Sequence, residues 1–257
     1  MTEDRIVFYD IPFAKPNICW SPNTWKARYC LNYKGLAYRT EWVEYPDIEA
    51  LCIKIGAAPT SVEDKGTARY TLPVIYDPST GQVISESFNI AVYLETTYPD
   101  TPRVFPSGTR ALHSAFAHHA YSQLVNQPLG PFVRPLVFEK LPVGKSQEYY
   151  RRTREALYNV KVEDWAPRGK VRAKEWKKVE KCLVLFSKYL EATKDEAGGG
   201  FICGAEPTFA DFVIAGILQW CKEGFGAESV DWKDIVTWQD GRWGSFMHSL
   251  EKFSVVI

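Results

Sequence analysis

The sequence lacks an excess of charge of either sign. Its 257 residues include 31 Lys and Arg and 31 Asp and Glu, so the net charge is zero. Binding to nucleic acid or anionic lipid usually requires a basic surface, which this balance does not provide. There is also no apolar run of membrane-spanning length, and the first residues are acidic where a secretory signal is basic. We therefore expect a cytosolic protein with small neutral or amphipathic partners.

The sequence also lacks the motifs of metal and phosphate sites. Its six cysteines form no CxxC pair and no Cys/His zinc spacing, and three of the four histidines lie on one predicted helix. Gly198-Gly199-Gly200 does not open a phosphate-binding βαβ unit, so we expect a flexible helix connection there. We predict no metal site and reduced, mostly buried thiols at these positions: Cys19, Cys30, Cys52, Cys182, Cys203 and Cys221.

The first hundred residues have the order of a thioredoxin-like domain. At 257 residues the chain is long enough for one large or two modest domains, and its 46% of apolar residues is ample for a core. The patterns predict strands at 6–9, 38–43, 72–76 and 83–84, helices at 21–34 and 88–98, and an irregular stretch at 46–70. The resulting order, βαβ followed by ββα, predicts a mixed sheet with helices.

Proline and glycine between residues 99 and 108 indicate a linker, and the remainder has helical patterns only. The predicted helices cover 109–126, 147–159, 170–194, 208–221 and 241–253. We therefore expect a thioredoxin-like domain at 1–98, a linker at 99–108 and an all-helical domain at 109–257. At the start of one helix, Thr208-Phe209-Ala210-Asp211 predicts a structural capping box.

The stretch from Leu72-Pro73 to Glu86-Ser87 indicates a binding site. A proline among strand-forming residues removes a ladder donor, and a cis Leu72–Pro73 bond would explain its presence. In that bend the Leu72 backbone can pair with an extended peptide. The Glu86 carboxylate can bind an α-ammonium group, while Ser87 and the following amides can bind an α-carboxylate at a helix start. Together these residues predict a site for a small zwitterionic peptide.

A second helix start, Ser21-Pro22, admits two interpretations. Serine at the N-cap followed by proline is a common structural signal. The same hydroxyl also lies in the positive field of the helix dipole, where a bound thiolate would be stabilised. The motif alone does not decide between capping and catalysis.

With these motifs in this order and an all-helical second half, the chain resembles a cytosolic glutathione transferase over nearly its whole length. The segments from Ser21 to Tyr29, Lys34 to Leu36 and Tyr149 to Glu155 are similar to serine-type etherase-like transferases. Those include the bacterial β-etherases and the fungal etherase-related class called FuA. The resemblance implies glutathione as co-substrate and a homodimer, and no metal is expected.

The resemblance also implies roles for individual residues. Ser21 would donate a hydrogen bond to the glutathione sulfur, and Asn23 would either donate a second bond or be an ordinary first-turn residue. Lys54 or Arg69 would meet the glycine carboxylate. Four residues would line an aromatic pocket between the domains, or else belong to the core: Trp20, Phe116, His119 and Tyr121. The alternatives of a Cys19 thiol or a Tyr9 hydroxyl as the catalytic group remain open.

Two functions follow from the resemblance. In the first, glutathione thiolate attacks an aromatic or phenolic electrophile, by conjugation or by thiolytic cleavage of an aryl ether. In the second, the protein is a ligandin that sequesters wood-derived phenolics or other aromatics with little turnover. The sequence does not separate these two functions.

Overall fold

The computed structural model describes residues 5–62, 66–195 and 199–257. Its first part is a four-stranded sheet with helices, and the sheet has the strand order β2-β1-β5-β6. β1 and β2 are parallel, while β1–β5 and β5–β6 are antiparallel, so the predicted mixed sheet is confirmed. The elements are β1 (Ile6–Asp10), α1 (Pro22–Tyr33), β2 (Tyr38–Trp42), α2 (Ile48–Ile55), β3 (Ser61–Val62), β4 (Ala68–Arg69), β5 (Val74–Asp77), β6 (Gln82–Ser85) and α3 (Ser87–Thr97).

The second part is helical, as predicted. A π-helical turn, Tyr121–Asn126, continues the first of its helices. The helices are α4 (Arg110–Ala120), α5 (Gly130–Lys140), α6 (Lys145–Tyr158), α7 (Gly169–Glu191), α8 (Phe209–Phe225) and α9 (Val230–Ser249). Within the described residues, no helix is long and apolar enough to cross a membrane.

The prediction of an irregular stretch at 46–70 is wrong in part. This stretch contains α2 and the short β3–β4 hairpin. α2 has only two turns, and Gly56 ends it in a left-handed conformation with φ 74°. Its apolar face is short, so the turn-forming residues around it dominate the sequence pattern. Residues 63–65 of this stretch, and residue 198 of the predicted 198–200 connection, lie outside the described residues.

Two helical segments were not predicted. α5 begins Gly130-Pro131 and contains Pro135, which normally disfavours a helix interior. Burial of Phe132, Val133 and Val137 among the core residues outweighs that local cost. The first half of α9 was also missed, because non-helical backbone at 238–241 interrupts the helical periodicity.

α1 is fixed to the sheet by a buried ion pair. Arg28 and Asp10 are both inaccessible to solvent, and Arg28 Nη2 lies 2.8 Å from Asp10 Oδ2. Arg28 also donates to the Tyr38 hydroxyl and to Thr40 Oγ1, each at 3.1 Å, and lies over the Phe8 ring. The pair holds the helix in one position on the sheet, because neither charge has water as an alternative partner.

The opposite side of α1 packs on α8 of the helical part. The rings of Tyr29 and Phe212 stack with centroids 5.6 Å apart, and Gln219 Nε2 donates to the Tyr29 hydroxyl at 3.0 Å. At Gly216 the two helices approach so closely that a Cβ atom would lie 2.7 Å from the Pro22 carbonyl oxygen. The start of α1 is therefore positioned by the helical part as well as by the sheet.

The connection between the two parts is anchored at Glu95 near the end of α3. Its carboxylate accepts hydrogen bonds from Lys34 Nζ at 3.2 Å and from the Val104 amide at 3.0 Å, and pairs with Arg103. Burial acts to raise the pKa of Glu95, but these donors outweigh it and lower the pKa. The division into domains at 1–98 and 109–257 stays a prediction.

The capping box at the start of α8 is present, as predicted. The Asp211 carboxylate accepts from the Thr208 amide and hydroxyl, each at 2.8 Å, and also from the Ile202 amide at 2.8 Å. The bonds between Thr208 and Asp211 span three residues, so the capping box could be predicted from the sequence, whereas the bond from Ile202 could not.

Candidate functional site

Ser21 is the N-cap of α1, but its side chain does not cap the helix. The residue has extended backbone angles and is only 5% exposed. The first backbone bond of the helix runs from the Trp25 amide to the Ser21 carbonyl, at 3.0 Å. The Ser21 hydroxyl makes no hydrogen bond to any described residue, and the amides of Asn23 and Thr24 precede that first bond. Three donors are thus grouped at the helix start, with Asn23 partly exposed beside Ser21.

The Leu72–Pro73 peptide bond is cis, as predicted. The Pro73 carbonyl accepts a hydrogen bond from the Glu86 amide at 3.2 Å, so the two halves of the predicted peptide site are in direct contact. Within the part of the chain that the structure describes, the Leu72 backbone makes no hydrogen bond. Its N–H and C=O groups remain suited to pair with an extended peptide.

Glu86 and Ser87 lie at the start of α3, but their hydrogen bonds differ from those expected. The Glu86 carboxylate itself accepts from the amides of Phe88 at 2.9 Å and Asn89 at 3.3 Å, and from the Ser87 hydroxyl at 2.9 Å. Glu86 has a φ of 77°, a conformation that brings its side chain over the helix start. The amides expected to receive a ligand carboxylate are therefore bonded to Glu86 in this structure.

Lys26 is a site residue that the sequence analysis missed. It lies one turn after Ser21 and close to Glu86, whose charge acts to raise the pKa of Lys26. Burial dominates and lowers that pKa to about 8. No motif signals it, because a lysine in the first turns of a helix is usually solvated.

The Cys19 thiol is poorly placed to be reactive. The residue is 1% exposed, and its Sγ lies 3.4 Å from Thr24 Oγ1. Burial, with the nearby Asp10 charge, raises the pKa of Cys19 well above the ordinary value, against the opposing effect of Arg28. A protonated, inaccessible thiol does not suit catalysis.

Tyr9 lies on the other face of the sheet from Ser21. Side chains alternate along β1, and Phe8 and Asp10 contact Arg28 of α1, so Tyr9 faces away from that helix. Burial is the main cause that raises the pKa of Tyr9. Its ring lines a surface hollow of about 710 Å³ together with Arg39. The geometry therefore disfavours Tyr9 as the group that meets the sulfur.

Lys54 and Arg69 are both exposed, on α2 and β4 respectively. Neither side chain forms an ion pair with a described residue. The Arg69 carbonyl accepts from the amide and the hydroxyl of Thr60, which fixes the backbone of the hairpin. Which of the two would meet a glycine carboxylate stays a prediction.

The four residues expected to line an aromatic pocket do not share one environment. The Trp20 ring is 4% exposed and stacks on Phe13 with centroids 5.1 Å apart. Tyr121 is 36% exposed and lies near Tyr45, whose pKa it acts to raise. Tyr45 also contacts Trp20, with centroids 6.3 Å apart.

Phe116 and His119 are placed differently, against α7. The Phe116 ring contacts Phe186 and Tyr189, and His119 Nε2 lies 3.2 Å from the Tyr189 hydroxyl. Trp20, which immediately precedes Ser21, is thus in contact with Phe13 and Tyr45 rather than with Phe116 or His119. The sequence analysis missed Tyr45, because nothing in its local pattern indicates contact with Trp20.

The described residues contain no group of three or more His, Cys, Asp or Glu side chains that could hold a metal ion. The donors at the start of α1, together with Lys26, favour binding of an anionic group such as a thiolate.

Comparison with known proteins gives a consistent family. Residues 20–97 match the model of the glutathione S-transferase N-terminal domain, and residues 111–253 match that of the glutathione S-transferase C-terminal domain. A glutathione S-transferase-like protein of Aspergillus flavus, ustS, is 29% identical over 256 residues, covering 96% of this chain and 90% of that protein.

Two solved structures are similar over almost the whole chain. The first, a glutathione S-transferase of Ceriporiopsis subvermispora in complex with glutathione, is 46% identical, with a TM-score of 0.92, over 98% of this chain and 99% of that one. Glutathione transferase GSTFuA3 of Phanerochaete chrysosporium is 44% identical, with a TM-score of 0.91, over 98% of each chain. The chain belongs to the glutathione S-transferase family.

Proposed function

We propose that this protein binds glutathione with its sulfur at Ser21 and transfers the thiolate to an aromatic electrophile. The observation that carries the proposal is the Ser21 hydroxyl, which lies at the start of α1 without a side-chain bond to any described residue. A hydroxyl beside two orphan amides is suited to donate to a thiolate. A hydrogen bond to a charged group contributes roughly 1.5 to 3 kcal/mol, which corresponds to a fall of about one or two units in the thiol pKa.

The peptide part of glutathione would lie along Leu72 and the start of α3. The contact between the Pro73 carbonyl and the Glu86 amide keeps these two segments together. The α-carboxylate would share the α3 amides and the Ser87 hydroxyl with Glu86, and Lys26 would supply the opposing positive charge. The relative from Ceriporiopsis subvermispora was solved in complex with glutathione, which supports glutathione as the ligand.

The reaction needs no covalent enzyme intermediate. The thiolate attacks an electrophilic carbon and forms a C–S bond. In ether cleavage the C–O electron pair leaves with an aryloxide, which then takes a proton from water. In conjugation to an activated double bond, the carbanion formed takes the proton. The protein lowers the barrier by keeping the sulfur ionised and oriented.

Aromatic substrates are supported by the surroundings of Ser21. Trp20 stacks on Phe13 and contacts Tyr45, and Tyr45 stacks on Tyr149 of α6 with centroids 5.9 Å apart. Small-molecule sites are commonly apolar and aromatic and lie where two parts of a protein meet.

The test uses Ser21→Ala with Ser229→Ala as its matched control. Ser229 is the N-cap of α9, and its hydroxyl does accept a bond from the Trp232 amide at 3.1 Å. Ser229→Ala should therefore lower the free energy of unfolding by about 1 kcal/mol and leave turnover unchanged. Ser21→Ala should leave stability within about 0.5 kcal/mol, because no cap bond is lost. It should nevertheless raise the pKa of bound glutathione, measured by thiolate absorbance, and reduce conjugation at least tenfold.

Two other results would contradict the proposal. If Ser21→Ala keeps both the thiol pKa and the turnover of wild type, Ser21 is not the group at the sulfur. If wild type binds phenolics tightly but produces neither conjugate nor free phenol, the protein is a ligandin.

Sedimentation of the wild type tests the homodimer, and fractionation of the source cells tests the cytosolic location.

A further inference from the structure

The α6 segment Tyr149–Glu155 combines two tyrosines with three arginines, and its N-terminal end is held against the sheet part of the chain. Ser146 Oγ donates to Glu44 Oε2 at 2.9 Å, and Lys145 Nζ lies 2.6 Å from Asp47 Oδ2. Because these bonds fix α6 against residues 44–47, its side chains keep a defined position relative to Tyr45.

Arg154 is the arginine of this segment that reaches Tyr45. Its guanidinium carbon lies 5.5 Å from the centroid of the Tyr45 ring and 5.0 Å from that of Tyr150. Its Nη1 donates to Thr153 Oγ1 at 3.0 Å. Among the residues that the structure describes, Arg154 forms no ion pair.

The other two arginines of α6 differ from Arg154. Arg151 pairs with Glu155 at 3.0 Å and with Glu163 at 2.7 Å. Arg152 is exposed, with its guanidinium carbon 5.5 Å from the centroid of the Tyr149 ring, so water solvates its charge. Arg154 is partly buried among tyrosines, so its charge has no carboxylate partner among the described residues and is only partly hydrated.

A partly desolvated guanidinium beside aromatic rings is incompletely compensated. Cation–π contacts offset some of the lost hydration, but a bidentate carboxylate would offset much more. The tyrosines respond to the charge: burial raises the pKa of Tyr45 to about 12, and Arg154 acts against that rise. An anionic ligand group is the natural missing partner.

The position of Arg154 connects it with the proposed reaction site. Tyr45 contacts both Arg154 and Trp20, and Trp20 immediately precedes Ser21. Tyr121, which is partly exposed, lies near the same tyrosine. Trp20 and Tyr45 are 4% and 9% exposed, so an aromatic molecule whose reacting carbon faces Ser21 would reach the guanidinium across the exposed edges of these rings and of Tyr121.

We propose that Arg154 is a specificity-determining residue that binds the carboxylate of an aromatic acid, with the Tyr45 ring beside the aromatic part of the ligand. The favoured electrophiles are then aryl carboxylates whose acid group lies away from the reacting carbon. This inference rests on the proposed function for the reaction, although the binding of aromatic acids can be measured without it.

The experiment compares two electrophiles that differ only at the acid: 4-chloro-3-nitrobenzoate and its methyl ester. Arg154→Gln should raise KM for the acid roughly tenfold or more, with kcat and the KM of the ester within about twofold. Arg154→Lys should recover part of the loss, since it restores the charge without the planar fork. Arg152→Gln removes one arginine from the same helix and is the matched control. It should change neither kcat nor KM for either substrate.

A binding measurement separates this inference from the proposed function, because it does not depend on turnover. Calorimetric titration of wild type with benzoate and with benzamide, each in the presence of S-methylglutathione, should show tighter binding of the acid. Equal affinities for benzoate and benzamide overturn the inference. An equal rise in KM for the acid and the ester in Arg154→Gln also overturns it. If neither electrophile is conjugated while benzoate still binds better and Arg154→Gln removes the difference, the proposed function fails and the assignment of Arg154 stands.

Discussion

Replacing Gly216 by alanine should displace the helix start that carries Ser21. The new Cβ would lie 2.7 Å from the Pro22 carbonyl oxygen and 3.3 Å from Trp25 Cβ, and Cβ atoms essentially never approach closer than 3.0 Å. Because the nearest atom belongs to the backbone, α1 and α8 must separate by several tenths of an ångström. Overpacking of this kind costs about 1–3 kcal/mol, and the better helix propensity of alanine offsets about 1 kcal/mol.

The expected net loss is about 1 kcal/mol, or a fall of roughly 2–4 °C in the thermal midpoint. The effect on catalysis should be larger than this loss implies. A misplacement of 1 Å at a reacting group can cost about a hundredfold in rate. A shift of a few tenths should therefore lower kcat for glutathione conjugation roughly three- to tenfold.

Gly224→Ala on the same helix is the matched control. There the new Cβ would lie 2.4 Å from Val133 Cγ1, which belongs to a side chain of α5 rather than to α1. This variant should lose similar stability while keeping kcat within about twofold. If both variants lower kcat equally, the loss reflects general loosening of the helical part. If Gly216→Ala changes neither kcat nor the thermal midpoint, the close approach does not position Ser21.

Three further predictions concern stability. Asp10→Asn leaves the buried Arg28 charge unpaired and should lower the urea-derived free energy of unfolding by about 3–5 kcal/mol. Adding Arg28→Met should make this loss smaller, and strictly additive losses in the double variant would contradict the buried pair. The pKa of Lys26 is lowered to about 8 from 10.5, so between these values the unfolded chain binds more protons at Lys26 and wild-type stability rises with pH. The stability of Lys26→Met relative to wild type should therefore fall from pH 8 to 10 in urea titrations, and a constant difference would show that Lys26 is not desolvated. Asp211→Asn cannot satisfy three donors with one carbonyl oxygen and should lower the thermal midpoint, by the equivalent of about 1–3 kcal/mol, whereas an unchanged midpoint would mean that the capping box is not stabilising.

The predictable parts of the structure depend on contacts within a few residues. Strand alternation and helix periodicity indicated the mixed sheet and most of the helices, and Ser21-Pro22 and the Thr208 capping box marked helix starts correctly. The cis Leu72–Pro73 bond followed from the position of proline among strand-forming residues. In each case the residues that decide the structure are neighbours in the sequence.

The sequence-based predictions are wrong or incomplete where contacts between distant residues determine the structure. α5 is helical despite Pro135 because its apolar side chains are buried in the helical core, and no local pattern shows this. The Glu86 carboxylate was expected to be available for a ligand α-ammonium group. Its backbone conformation instead lets the carboxylate accept hydrogen bonds from the amides at the start of α3. Tyr45 is a candidate site residue because it contacts Trp20, and Lys26 because the charge of Glu86 influences its pKa.

The two helix starts, the cis proline bend and the two-part architecture could be predicted from the sequence, since these rest on local backbone preferences and on periodicity. Which side chains meet at the helix starts depends on the packing of the folded chain. The packing of α1 between the sheet and α8 sets the position of Ser21, and the contact of α6 with residues 44–47 brings Arg154 to the aromatic residues beside it. The contacts of α1 with α8 and of α6 with residues 44–47 join residues more than a hundred positions apart, so they depend on the folded chain as a whole.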